Sequence, residues 1–391
     1  MGDRLRVRGG VERRNNFDHL RLAAALMVVV SHSTLLFGSA FEPFIWFTGY
    51  TSGADFAVLA FFAMSGFLVS QSWLDDPHVP RFLARRLLRV LPALAAVTLL
   101  TALLLGPAVT TLAWPDYWRE PAAWTYLLNS LIFPLQLELP GVFTDNPFPR
   151  WVNGSLWTLR LEFTLYLVLM LAGTLGRKGF RRLLIPLAAG SLLLHVMLVR
   201  AQHHVFGMDP RDLGTFGVMF FVGATLREFS VSPTICGWAC LPLVAATIAF
   251  ARTPAVALTY FGLIPCLVVW TAFLRHDVVG RLPLPGDYSY GIYVFAFPIQ
   301  QLLAHSFHGS LRGRTLMMMS VVVTSITAIA CWHWIEKPAL DRKPRKPRLG
   351  AGAVPNQDPM RGSSGEHQVV PATEPSAFAD RSRRTHGKRP S

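Results

Sequence analysis

The stretch NNFDHLRLAAALMVVVSHS (residues 15–33) opens on two asparagines and a charged turn, runs from Leu22 to Val30 without a polar side chain, and closes on Ser31, His32 and Ser33. An apolar run of this kind suits a helix crossing a hydrocarbon layer ~30 Å thick, which takes about 20 residues. The pattern recurs along the chain. Ten candidate spans lie near 19–38, 54–73, 91–113, 154–175, 183–200, 214–228, 235–251, 255–274, 288–307 and 315–335, separated by short charged islands. Helix is the expected form, because in lipid every backbone polar group must be satisfied within its own segment.

Composition agrees. Of 391 residues 52% are hydrophobic and 15% charged, whereas a soluble domain carries about 25% charged residues. A single soluble domain is therefore excluded. The net charge of +14 does not indicate nucleic acid, since a basic nucleic-acid binder gathers its cations on one soluble face, and here they sit at the ends of apolar segments. Cys236, Cys240, Cys266 and Cys331 all fall within apolar runs, where a free thiol behaves as a small hydrophobe; neither a disulfide framework nor a metal site is expected. Ala23 to Leu36 lacks a small-residue cleavage site, so no cleavable signal peptide is expected.

The spans predict an all-α polytopic bundle of about ten transmembrane helices. With both termini cytoplasmic, the inside connections hold twenty-two lysines and arginines and the outside ones seven, a clear positive-inside bias. On this reading residues 1–14 form a basic cytoplasmic N-terminus, 15–338 the transmembrane domain and 339–391 a disordered basic cytoplasmic tail, rich in Pro, Ser, Gly and Arg. The connection 114–152 lies outside; its tryptophans and prolines predict an ordered cap in place of a tether.

Three groups of residues carry chemistry. Eleven steps separate Arg21 from His32, within about 20° of three full helical turns, so the two share a stripe, joined by Asp18 three positions from Arg21. Ionisable groups inside a membrane are costly and face a bundle interior or a wet cavity, which makes His32 a functional candidate. In NGSLWTLRLEFTLYL (residues 153–167) Ser155, Glu162 and Tyr166 fall on one face. His32 and Glu162 come to similar depths, so an imidazole–carboxylate couple is expected. In RFLARRLLRVLP (residues 81–92) Arg81, Arg85 and Arg89 repeat at four-residue spacing with Arg86 beside them. Guanidinium forks in such a row suit phosphate oxygens, while topogenic charge against lipid headgroups is the plainer reading. Ser65 and Gly66 in FFAMSGFL (residues 61–68) are read as helix-packing residues. Tyr290, Tyr293 and Gln300 offer a polar lining in the ninth span.

FDHLRLAAALMVVVSHS, FFAMSGFL, RRLLRVLP, SLWTLRLEF, SYGIYVFAFP and WIEKP together, and in this order, resemble the membrane-bound acyltransferase-3 family from about Asn15 to Pro338. The resemblance implies a multi-pass enzyme of the bacterial inner membrane that moves an acyl group, usually acetyl, from cytoplasmic acyl-CoA to a hydroxyl of an extracytoplasmic glycan, with a leaning to the exopolysaccharide-modifying branch. It assigns the essential histidine to His32, its partner arginine to Arg21, the basic cytoplasmic motif to Arg86 and Arg89, and the motif glutamate to Glu162. Ala296 stands where many members carry His, so no catalytic role is expected there. No soluble esterase-like domain is expected after residue 338.

The reading that follows places His32, Glu162 and Arg21 in catalysis, the donor's phosphates on Arg85, Arg86 and Arg89, and the acceptor among Asp18, Trp157, Tyr166, Tyr290 and Tyr293. Acyl-CoA, a carbohydrate and the bilayer are the expected partners, with acyl-CoA as co-substrate and no tightly bound cofactor. A transporter or flippase would use the same buried charges as a relay; the absence of an internal repeat and the arginine row argue against it.

Overall fold

The computed structural model describes residues 4–6, 12–38, 41–49, 51–198, 209–274, 286–307 and 310–344. The expected tail is outside the described residues from 345 onward. Among the described residues thirteen helical segments follow one another, apart from a 3-10 turn at Tyr126–Leu131: α1 (Phe17–Leu36), α2 (Pro43–Thr48), α3 (Gly53–Asp75), α4 (Val79–Val109), α5 (Trp114–Arg119), α6 (Pro121–Thr125), α7 (Gly154–Thr174), α8 (Gly176–Met197), α9 (Pro210–Glu228), α10 (Pro233–Ala249), α11 (Val256–Ala272), α12 (Ser289–Phe307) and α13 (Gly313–Asp341). Each of the ten expected spans coincides with one of α1, α3, α4 and α7 to α13. Six of these, α1, α3, α4, α7, α8 and α13, are long and apolar enough to cross a bilayer by themselves. α10 and α11 are shorter apolar helices, and α9 and α12 carry more polar residues. Arg4–Arg6 and Glu12–Arg14 pair as two short antiparallel strands (β1, β2).

α3 is the centre of the bundle. It packs against α1, α7, α9 and α11, and 78% of its most apolar stretch is buried in protein, against 17% for α8. α8 thus presents most of its side chains outward. α3 begins on a capping box, with the Ser52 hydroxyl accepting from the Asp55 amide and the Asp55 carboxylate accepting from the Ser52 amide. It meets α9 at backbone distance: a Cβ on Gly66 would lie 1.8 Å from the Phe220 carbonyl oxygen, and one on Gly223 2.3 Å from that of Ala63. Small residues at this crossing are what membrane helix packing requires.

The connection between α4 and α7 is an ordered cap, built as its aromatic content predicts. Tyr117, Tyr126, Val142, Phe143 and Val152 form a separate buried cluster with Ala102 of α4, and the Tyr117 hydroxyl donates to the Ala102 carbonyl at 2.8 Å. The Asn129 amide bonds Gln136 in both directions at 2.9 Å.

Candidate active site

The arginine island forms the first turns of α4. Asp76, in the α3–α4 turn, takes both Arg81 (2.9 Å from Nε and 2.7 Å from Nη2) and Arg85 (2.7 Å from Nη1). The hydrogen bond from Arg81, with Arg85 beside it, holds the Asp76 carboxyl well below the usual carboxylate range. One helical turn on, Arg89 reaches Asp287 at 2.7 Å and Glu336 at 3.2 Å. Asp287 also takes Arg21 at 3.4 Å, and Arg21 lies 3.9 Å from Asp18. Burial opposes ionisation of Asp287, yet Arg89 and Arg21 with the Ser289 hydroxyl hold its carboxyl below the ordinary value. Arg86 differs from these neighbours. Its Nη2 donates to the Ser72 hydroxyl at 3.3 Å, its guanidinium stands over the rings of Phe82 and Tyr166, and its buried Nε has no partner among the described residues.

These side chains open onto a cavity of about 770 Å³. Nine of the predicted site residues line it: Asp18, Arg21, Arg85, Arg86, Arg89, Glu162, Tyr166, Tyr290 and Tyr293. Glu162 sits between α3 and α7, where the Ser65 hydroxyl donates to its Oε1 at 2.7 Å and the Tyr166 hydroxyl, one turn along α7, donates to the same oxygen. Tyr290 donates to the Val90 carbonyl at 2.9 Å beneath the Arg89 guanidinium. The hydroxyls of Tyr293 and Thr158 lie 2.6 Å apart.

Two predicted residues lie elsewhere. Trp157 does not line the cavity; its indole packs edge-on against Phe216 of α9, with ring centroids 5.6 Å apart. His32 does not line it either. The imidazole stands edge-on to Phe297 of α12 at 5.7 Å, and its Nδ1 has no hydrogen-bond partner among the described residues. The expected His32–Glu162 couple is therefore not formed: among the described residues the hydrogen bonds to the carboxylate come from Ser65 and Tyr166. Helical periodicity gives a side chain's direction and height but not which helix stands opposite, and opposite Glu162 stands α3. Ser65, read from sequence as packing, is thus a site residue; its signal was a hydroxyl among apolar neighbours. Asp76 and Asp287 were missed because each lies just outside a helix, and Glu336 because it falls just past the expected span 315–335, where a carboxylate needs no special explanation.

Residues 14–335 match the acyltransferase domain of the acyltransferase-3 group. The chain belongs to the acyltransferase-3 family. This membrane acyltransferase is 29% identical over 343 residues to an O-acetyl transferase of Shigella phage Sf6, an alignment covering 86% of this chain and 99% of the phage protein. It is also 29% identical over 352 residues to nodulation protein 10 of Rhizobium leguminosarum bv. viciae, covering 84% of this chain and 93% of that one. No solved structure matches it. For an acyltransferase the site offers two separated stations, a charged cavity with a fixed carboxylate and, outside its walls, an imidazole with an unpartnered nitrogen.

Proposed function

We propose that this acyltransferase moves an acyl group, acetyl in the first instance, from cytoplasmic acyl-CoA to a hydroxyl of an extracytoplasmic polysaccharide or glycolipid at the bacterial inner membrane. The observation that carries the reading is the cavity joining the arginines of α4 to Glu162. Arg86, whose charge no described carboxylate takes up at hydrogen-bond distance, is the natural receptor for a donor phosphate. Arg85 and Arg89 border it, held in place by Asp76, Asp287 and Glu336. The donor's pantetheine arm would follow the apolar wall of Phe61, Phe62 and Leu68 past Ser65 and Glu162, and transfer requires the thioester to pass from this cavity to the station of His32.

His32 then serves the acceptor. Its neutral imidazole takes the proton of the sugar hydroxyl as the oxygen attacks the acyl carbon, the C–S bond breaks, and the thiolate leaves through the charged cavity. Glu162, fixed by two hydroxyls, acts on the donor side. The excess of lysine and arginine in the connections next to the α4 arginines supports a cytoplasmic donor side, and the naming of the phage relative supports acetyl and an oxygen acceptor.

The test is acyl transfer in detergent, where no gradient exists. Purified protein, labelled acetyl-CoA and glycan from a strain lacking the gene should give acceptor-dependent release of CoA and a labelled glycan, lost in His32→Ala. Unchanged transfer by His32→Ala, or no consumption of acyl-CoA by the wild type, overturns the reading.

A further inference from the structure

Around Phe297, midway along α12, four buried polar atoms have no partner among the described residues: His32 Nδ1, Asn146 Oδ1, Ser155 Oγ and Gln300 Oε1. Ser155 is 1% exposed and Gln300 0%. Buried polar atoms are nearly always paired, and an unpaired one calls for an explanation. Three of these share a neighbourhood, and Asn146 is tied to it through Gln301. His32 stands edge-on to Phe297. A Cβ on Gly154, the residue before Ser155, would lie 2.6 Å from the Phe297 ring. Gln300, one turn beyond Phe297, donates through Nε2 to the Val29 carbonyl at 2.7 Å and to the Ser33 hydroxyl at 2.8 Å, on the turn of α1 that carries His32.

The orientation of both amides is fixed by their surroundings. Gln300 Nε2 faces a carbonyl, and Asn146 Nδ2 faces both the carbonyl and the Oε1 of Gln301, at 2.9 and 2.8 Å, so in each case the oxygen is the free atom. Free carbonyl oxygens accept hydrogen bonds and repel anions. They suit a ligand that donates through neutral hydroxyls, not a phosphate or a carboxylate.

An aromatic file leads to the same place. Trp151, 38% exposed, stands edge-on to Phe148 at 5.3 Å; Phe148 stands edge-on to Phe297 at 6.1 Å; and Phe297 meets His32. Gln301 pins the first two by donating to the Phe148 carbonyl at 2.7 Å and the Trp151 carbonyl at 2.6 Å. Aromatic rings present a π-face that attracts weakly positive C–H groups, and a pyranose has an apolar C–H face and a rim of hydroxyls.

We propose that Trp151, Phe148 and Phe297, with Asn146, Ser155 and Gln300, form the subsite that receives the carbohydrate acceptor and delivers its hydroxyl to His32. The proposal rests on the reading of the protein as a glycan acyltransferase. It separates the acceptor's approach, from the cap, from the donor's, along the α4 arginines.

The experiment measures transfer from labelled acetyl-CoA to a panel of methyl hexopyranosides by the detergent-purified full chain, and determines KM for each substrate. Ser155→Ala removes a hydroxyl with no partner among the described residues, so its thermal stability should equal or exceed wild type, while the acceptor KM rises about five- to tenfold, the equivalent of one hydrogen bond. Trp151→Ala should raise the acceptor KM similarly, and Trp151→Phe, which keeps a ring, should restore most of it. In all three the KM for acetyl-CoA stays at the wild-type value. The subsite is overturned if Ser155→Ala and Trp151→Ala both keep the wild-type acceptor KM, or if the donor KM rises in step. Wild-type release of CoA with no saturable transfer to any glycoside overturns the subsite alone; failure of the wild type to consume acetyl-CoA at all overturns it together with the proposed function.

Discussion

Arg86 and Asp76 show how neighbouring charges in one cavity take different roles. Among the described arginines that line it, Arg21, Arg85 and Arg89 each pair with a carboxylate, whereas Arg86 has a serine and two aromatic faces. A paired guanidinium has already spent its fork; Arg86 retains the capacity to take an anion. Arg86→Ala should raise the KM for acyl-CoA about tenfold, and Arg86→Lys should recover little of it, because an ammonium cannot reproduce the bidentate fork. Steady-state kinetics with acyl-CoA varied checks this, and an unchanged KM in Arg86→Ala would place the phosphates elsewhere. Asp76→Asn behaves differently. It strips a charge-assisted bridge from Arg81 and Arg85, so the expected loss is in stability, about 2 kcal/mol, read as a lower thermal midpoint in detergent.

Helices α3 and α9 are held together by the absence of side chains. With a Gly66 Cβ placed 1.8 Å from the Phe220 carbonyl oxygen, Gly66→Ala must drive the two helices apart and should lower the thermal midpoint or abolish folding. Gly190, in the outward-facing α8, has nothing within 4 Å of its would-be Cβ. Gly190→Ala should therefore be neutral or slightly stabilising, through helix propensity worth up to ~1 kcal/mol. Equal behaviour of the two variants in a thermal melt would contradict this packing. The packing role of Gly66 was legible in the sequence; that Gly190, also a glycine in an apolar run, faces open space was not. Element positions were legible, because length and hydropathy suffice to locate a span, and the ordered cap was legible in its tryptophans and tyrosines. Which helix faces which was not. The helical stripe correctly set Tyr166 with Glu162 and Arg21 with Asp18, both within one helix, and failed for His32 with Glu162, where the answer depended on α3 standing opposite Glu162. Motif order recovered the family, since it draws on the whole chain at once and needs no knowledge of neighbours.

Across the molecule, the charged end of the bundle is closed by a chain of ion pairs that no single helix could make. Arg21 of α1 and Arg89 of α4 share Asp287, just before α12, and Arg89 continues to Glu336 of α13, so four segments distant in sequence meet at one carboxylate and its neighbours. Removing one member of a half-buried, hydrogen-bonded ion pair costs about 2 kcal/mol. Asp287→Asn should lower the thermal midpoint accordingly, and by more than Arg21→Gln, which leaves Asp287 its bond to Arg89. The pH dependence has a definite sign. The folded-state value of Asp287 lies below its unfolded one, so its contribution is complete above the ordinary carboxylate value of about 3.9 and is lost as pH falls through the folded-state value. In a Glu336→Gln background, which removes the second carboxylate on Arg89, the gap in thermal midpoint on adding Asp287→Asn should therefore hold constant from about pH 7 to 5 and close only below about pH 4. A gap that closed between about pH 7 and 5 would mean that burial outweighs the two arginines, that the carboxyl protonates near neutrality, and that this end of the bundle is held by something other than its ion pairs.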